Sequence, residues 1–361
     1  MNTVAPFAAA LLLWIQADSS ALLDKLKTLD NAAATRLVAT EISATREILD
    51  RLVAQVDASV HSDRQRPEQR RVTYDRDALT LGLRLGSVFG RATGDRTYSR
   101  RFEARKQRLD GTQMLNDRKY REALKPLTAA LTQAQALDDK WLHAITRVNL
   151  AYGHLELGNG KEAMTQSERA AEIATALDDK ARALTLYNLA SVHLHLKNFQ
   201  RSAEYSRQAV AVSQKAGVKL WEGNSLLNLG AALYQQGELD GSRLAFEQAL
   251  GVLETMRDKI GAGRALYNLG LIAMDQERYE PAAEYIERAL PIIRSADIRH
   301  SHEIELDPAR YQNPVEVAAL QILVDVYSRT GKDDLKAAHM AALRQIKARP
   351  LPGGHSHKAP Q

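Results

Sequence analysis

The chain has 361 residues, of which 45% are hydrophobic and 26% charged, a balance that excludes wholesale disorder. It contains no cysteine, which excludes disulfides, thiolate metal sites and a cysteine nucleophile. The net charge of +5 is local: residues 61–110 carry 13 Lys/Arg against 7 Asp/Glu, leaving −1 for the remainder, so electrostatic steering of a partner concerns that stretch alone.

The opening segment, MNTVAPFAAALLLWIQA, is apolar and uncharged until Asp18. Phe7 to Ile15 followed by Ala17 predicts either a signal peptide cut after Ala17 or a short apolar helix packed on the rest. The n-region lacks Lys/Arg, and Ile15 stands where a small residue is usual. Export implies a periplasmic or secreted protein; retention implies a cytoplasmic one. Seventeen residues are at the lower limit for crossing a bilayer, so a membrane contact is expected only if this segment stays uncleaved.

Residues 18–100 read as an N-terminal helical region. Leu22, Leu23, Leu26, Leu29 and then Ile42, Ile48, Leu52, Val53, Val56 follow helical spacing, as two helices or one long one broken near Asp30–Asn31. The stretch 61–71 (HSDRQRPEQRR) holds Pro67 and no aliphatic or aromatic hydrophobe, and reads as a basic linker. In 78–94 Leu79, Leu81, Leu83 and Leu85 alternate as in a strand, while Gly82, Gly86, Gly90 and Gly94 recur every four as on a helix face. Neighbouring helices favour a closely packed helix. Arg64, Arg66, Arg70, Arg71, Arg100, Arg101, Arg105, Lys106 and Arg108 are either solvated or a surface for nucleic acid or anionic lipid. Without interleaved aromatics or a DNA-binding module, no nucleic-acid partner is expected.

From 101 to 345 the chain repeats itself. VNLAYGHLELGNGKEA (148–163), YNLASVHLHLKNFQRS (187–202), LNLGAALYQQGELDGS (227–242) and YNLGLIAMDQERYEPA (267–282) align, with Asn-Leu pairs at intervals of 39, 40 and 40. Each Leu is followed by a small residue (Ala151, Ala190, Gly230, Gly270), which lets a second helix cross closely. Gly158 and Gly237 mark a turn in two units, and the second helix carries Ala170, Ala209, Ala249 or Ala289. A weaker unit precedes these (109–131, with Gly111, Tyr120, Ala123 and Ala130). Another follows (320–343) after an insertion near 297–313, making about six repeats, and the tail from 346 reads as disordered.

This pattern resembles the tetratricopeptide repeat family, whose small-residue, aromatic and alanine columns map onto Gly270, Tyr279 and Ala289. The usual unit has about 34 residues. The longer unit here is similar to those of kinesin light chains, LGN-type scaffolds and bacterial peptide-sensing regulators. The resemblance implies an all-α, right-handed superhelical solenoid of antiparallel helix pairs, with the first helix of each pair lining a concave surface.

On that surface Asn149, Asn188, Asn228 and Asn268 form one column. An amide has both donors and an acceptor, so a stack of them suits the backbone of an extended ligand; alternatively each fixes a neighbouring helix. Tyr152, Tyr187, Tyr234 and Tyr267, with Arg264, Glu156, His195, Gln235 and Asp275, flank the column, some as recognition groups and some as packing. The column where co-chaperone members carry clamp lysines reads Val148, Tyr187, Leu227, Tyr267, which argues against a carboxylate clamp.

Catalytic signatures fail. GNGK at 158–161 lacks a preceding strand and a Ser/Thr after Lys161, and no HExxH or GxSxG occurs. His193 and His195 point to different helix faces, and His300/His302 and His355/His357 lack a third ligand. No catalytic, metal or cofactor residue is therefore expected. The expected function is a scaffold that holds an extended peptide or a partner helix, with self-association also open. The alternative is a regulatory sensor whose N-terminal helices engage an effector.

Overall fold

A computed structural model describes residues 19–62, 75–295 and 313–349. The apolar opening segment, most of the linker, nearly all of the insertion and the end of the tail lie outside them. Among the described residues every regular element is an α-helix. The described residues up to Leu157 form one compact unit, and those from Gly158 onward a second.

The first unit contains α1 (residues 19–28), α2 (Asn31–Thr40), α3 (Ile42–Ser62), α4 (Arg76–Thr93), α5 (Thr97–Asn116), α6 (Tyr120–Ala136) and α7 (Lys140–Glu156). The break expected near Asp30 is present because Asp30 caps α2, its carboxylate accepting the Ala33 N–H at 2.8 Å. Arg84 of α4 closes the same break from outside: its guanidinium donates to Asn31 Oδ1 and to the terminal carbonyls of Lys27 and Leu29. A second break at Glu41 makes three helices of the predicted two. The four-residue glycine spacing of 78–94 is helical, as expected. A Cβ on Gly82 would lie 2.2 Å from the Phe102 ring, and one on Gly86 3.0 Å from the Ser99 backbone, so these glycines let α5 lie against α4.

The second unit holds α8 (Gly160–Ala174), α9 (Asp179–His195), α10 (Phe199–Ala216), α11 (Lys219–Gln235), α12 (Leu239–Thr255), α13 (Lys259–Asp275), α14 (Tyr279–Arg294), α15 (Pro314–Arg329) and α16 (Asp333–Lys347). The repeats are thus pairs in which odd-numbered helices from α5 come first and even-numbered ones second. The turn inside each pair places one residue in the left-handed region: Arg118 (φ 60°), Gly158 (76°), Lys197 (62°), Gly237 (78°), Glu277 (58°) and Gly331 (69°). The glycine signal was therefore visible in only half of the turns that need this conformation.

The small-residue column works by shape. Where it is glycine, the residue sixteen positions on is large: a Cβ would come within 2.6 Å of Leu127 at Gly111, 2.8 Å of Phe246 at Gly230 and 2.5 Å of Ile286 at Gly270. Where it is alanine, the residue sixteen on is a buried serine, Ser167 after Ala151 and Ser206 after Ala190. At the glycine crossings the side chain missing from one helix is thus matched by a large one on the other. In two pairs a serine of the second helix adds a bond, Ser202 to the Ala190 carbonyl (3.0 Å) and Ser242 to the Gly230 carbonyl (2.7 Å).

In the second unit α9, α11, α13 and α15 touch in succession, while α10, α12 and α14 make no comparable contact with one another. The first helices therefore crowd together into an inner wall, and the second helices splay outward.

Candidate functional site

The asparagine column does not behave as one set. Asn149 and Asn228 are buried, 6% and 5% exposed. Each donates its amide at 2.7 Å to a hydroxyl on the preceding first helix, Asn149 to Thr112 and Asn228 to Ser191. These two fix the rotation of adjacent helices, each committing one amide N–H to do so. For Asn268 the matching position on α11 is Ala231, which offers no hydroxyl, so the amide turns back to the Arg264 carbonyl at 2.7 Å. Asn188 is held only through its carbonyl oxygen, which accepts from Ser167 at 2.8 Å. Asn188 and Asn268 are half-buried. Among the described residues the Asn188 NH₂ and the Asn268 carbonyl oxygen have no partner.

The tyrosines divide similarly. Tyr234 donates to Asp275 on the next first helix at 2.6 Å, and burial together with that bond pushes its hydroxyl pKa up to about 12. Tyr152 meets Tyr120 edge-on with centroids 6.2 Å apart, inside the first unit. Tyr187 leans on the buried Trp221 ring at 5.2 Å, and Tyr267 is half-buried, with burial alone raising its pKa. Neither Tyr187 nor Tyr267 hydrogen-bonds through its hydroxyl among the described residues. The Arg264 guanidinium is exposed on α13 and makes no ion pair or hydrogen bond there. At the far end of the wall, His195 is exposed, whereas His193, two residues earlier, is buried and stacked on Tyr205 at 5.3 Å.

Within the positive stretch Arg100 and Lys106 are exposed, as the solvated reading expects, but two arginines depart from both readings. Arg105 and Arg108 are each 1% exposed, so they are neither solvated nor presented to nucleic acid or lipid. Arg105 makes a fork to Asp57 (2.6 and 2.9 Å) and reaches Asp139 at 2.8 Å; Arg108 lies over the Trp141 ring at 5.7 Å. Arg101 bonds Asp50 at 2.9 Å. Nothing in the local sequence separates these internal arginines from exposed ones, because their carboxylates lie on other helices. Residues 64–71 are outside the described residues.

The Tetratricopeptide repeat family matches residues 181–255 and again 263–294, the stretch that supplies most of the inner wall. Residues 181–294 thus carry tetratricopeptide repeats. No curated protein matches it in sequence. Among solved structures, a STAND protein with a tetratricopeptide repeat sensor from Pyrococcus horikoshii is similar at TM-score 0.58 and 14% identity, over 90% of this chain and 48% of that one. PilF of Pseudomonas aeruginosa is similar at TM-score 0.52 and 14% identity, over 68% and 93%. A Rap protein complexed with competence and sporulation factor is similar at TM-score 0.50 and 13% identity, over 91% and 98%. At these identities the likeness shows the fold. These repeats fit protein–protein interaction, and no catalytic family is indicated. Among the described residues no group of three His, Asp or Glu gathers as a metal site would require.

Proposed function

We propose that the inner wall of the second unit binds an extended polypeptide of a partner protein, read chiefly through its backbone. The observation that carries this is the division within the asparagine column. Asn228 is buried and commits one N–H to Ser191, whereas the half-buried Asn188 keeps two N–H donors and the half-buried Asn268 an acceptor on the same wall. A donor and an acceptor two repeats apart, flanked by the hydroxyls of Tyr187 and Tyr267 and the uncommitted charge of Arg264, can bracket peptide groups. Tyrosine adds rigid apolar area with a polar tip, which suits a groove tolerant of sequence. Asn149 and Tyr152 belong to the first unit and are left out of this set.

The test is a peptide display screen on the purified protein, repeated with Asn188→Ala/Asn268→Ala and with Asn228→Ala. Selected peptides should lose about tenfold or more in affinity for the double variant, since two hydrogen bonds in a partly desolvated groove contribute roughly 1–3 kcal/mol. Asn228→Ala should instead lower stability by about 1 kcal/mol. Equal affinity for wild type and the double variant would sink the assignment.

A second reading, a regulator whose N-terminal helices engage an effector, draws on one observation: the alignment with the Rap protein spans 91% of this chain and so includes helices before the repeats. Effector capture that survives the Asn188→Ala/Asn268→Ala change but is lost on altering α1–α4 would favour it.

A further inference from the structure

Between the end of α10, the start of α11 and the last turns of α12 lies an open cleft of about 530 Å³, lined by Gln214, Lys219, Glu222, Leu226, Gly251 and Val252 among others. It lies within one unit and shares no residue with the asparagine column. Its volume falls in the range of small-ligand sites.

The repeats serve as internal controls for this seam. Gly251 sits two residues past the alanine column, where the other repeats of this unit carry Glu172, Ala211 and Pro291. A glycine inside a helix is destabilising relative to alanine, so it wants a reason. The helical glycines at 82, 111, 223, 230, 261 and 270 have one, since a Cβ on any of them would fall under 3.0 Å from a neighbour. At Gly251 a Cβ would meet nothing within 4 Å. The fold therefore does not require this glycine, while any side chain there would occupy the cleft.

Glu222 is the second departure. Its column holds Arg182 and Ala262 in the adjoining repeats, the first paired with Asp179 at 40% side-chain exposure. Glu222 instead is 5% exposed on the cleft wall. Its two oxygens accept one bond each, from Gln214 at 3.1 Å and from Lys219 at 2.7 Å. A carboxylate offers about four acceptor positions and an ammonium three donors, so both ions keep capacity after meeting each other. Lys219 remains 57% exposed at the mouth. A plain cation drawn to Glu222 would face Lys219, and a plain anion drawn to Lys219 would face Glu222. A molecule carrying both charges close together satisfies the two at once, and Leu226 and Val252 provide apolar wall for a hydrocarbon stem.

We propose that this cleft is a binding site for a small zwitterion with an apolar side chain, of the free α-amino-acid class, its ammonium on Glu222 and its carboxylate on Lys219. The site is independent of the peptide groove, so either proposal can fail alone.

The experiment is calorimetric titration of the full-length protein with L-leucine, with N-acetyl-L-leucine methylamide as the probe that keeps the stem and removes both charges. L-leucine should bind saturably in the micromolar to low millimolar range, and the capped probe should not. Gly251→Leu should abolish that binding while raising thermal stability, because it restores a good helix former on an open face. Glu222→Gln keeps the shape and should weaken binding about tenfold, the scale of one lost charge-assisted bond. The proposal is overturned by no saturable binding at millimolar L-leucine, by equal binding of the capped probe, or by undiminished binding to a folded Gly251→Leu protein.

Discussion

Both compact units contain repeat helix pairs, but the first also docks helices outside the repeat and holds them by a different force. In the first, charge is taken inside: Arg105 is buried between Asp57 on α3 and Asp139 at the start of α7. In the second, crossings are closed by matched volumes, glycine against Phe246 or Ile286. The reason lies in what each helix meets. Helices of the second unit pack mainly on copies of themselves, so complementary small and large columns suffice. Helix α5 must also receive α3 and α4, which do not follow the repeat, and there a geometry-specific ion network defines the docking. A network of this kind specifies position more than it adds stability, since desolvation offsets most of the Coulomb gain.

Removing the central cation should have the largest effect. Arg105→Met leaves Asp57 and Asp139 without their shared counter-charge and should cost about 3–5 kcal/mol, read by urea denaturation. Hydrogen exchange should show protection lost in α3 and α5. If the contrast between units is right, Arg105→Met/Asp57→Leu recovers part of that loss, because an apolar pair replaces Arg105 and Asp57 while Asp139 stays without its counter-charge. A double variant as unstable as the single one would show that the network does more than dock the helix.

The matching break in the second unit is steric. Gly230→Ala places a Cβ 2.8 Å from the Phe246 ring, which is too stiff to yield, and should cost about 1–3 kcal/mol. Phe246→Leu alone also costs stability, but combined with Gly230→Ala the two should be less than additive by about 1 kcal/mol, because the smaller side chain makes the room the methyl needs. Strict additivity would refute the volume-matching account.

A pH titration probes both units together. His143 in the first unit and His193 and His339 in the second are all held below the ordinary value of 6.5, mainly by burial. A histidine whose folded pKa is depressed binds fewer protons in the folded state. Its contribution is complete above about 6.5 and is lost as pH falls through that value toward the folded pKa. Stability should therefore decline as pH falls from neutral through 6.5, and His193→Phe, which keeps the stack on Tyr205, should flatten part of the decline. An unchanged slope would remove His193 from the account.

What was legible in advance was whatever recurs. The 40-residue spacing, the small-residue column and the helical face of 78–94 follow from local periodicity, and the helices obey them. What was not legible depends on a residue far along the chain. Whether an asparagine is free or tied turns on a hydroxyl 37 residues earlier, present as Thr112 and Ser191 and absent at Ala231. Whether an arginine is solvated or buried turns on Asp57, on another helix. The open cleft beside Gly251 is visible only once the neighbouring helices show that nothing else occupies it.

The smallest predicted effect is also the most local, and it applies the periodicity where the sequence departs from it. Lys197 and Glu277 sit at the left-handed turn position that Gly158, Gly237 and Gly331 occupy in sister repeats. A side chain there is strained by roughly 1–2 kcal/mol, and the greater unfolded-state freedom of glycine takes back part of any gain. Lys197→Gly and Glu277→Gly should each raise stability by about 0.5–1 kcal/mol, adding nearly independently because they lie in separate turns. Arg118→Gly makes the corresponding change in the first unit. If turns obey the repeat while docking obeys the ion network, its gain should match the other two. A loss there would mean that the contrast between the units extends into the turns.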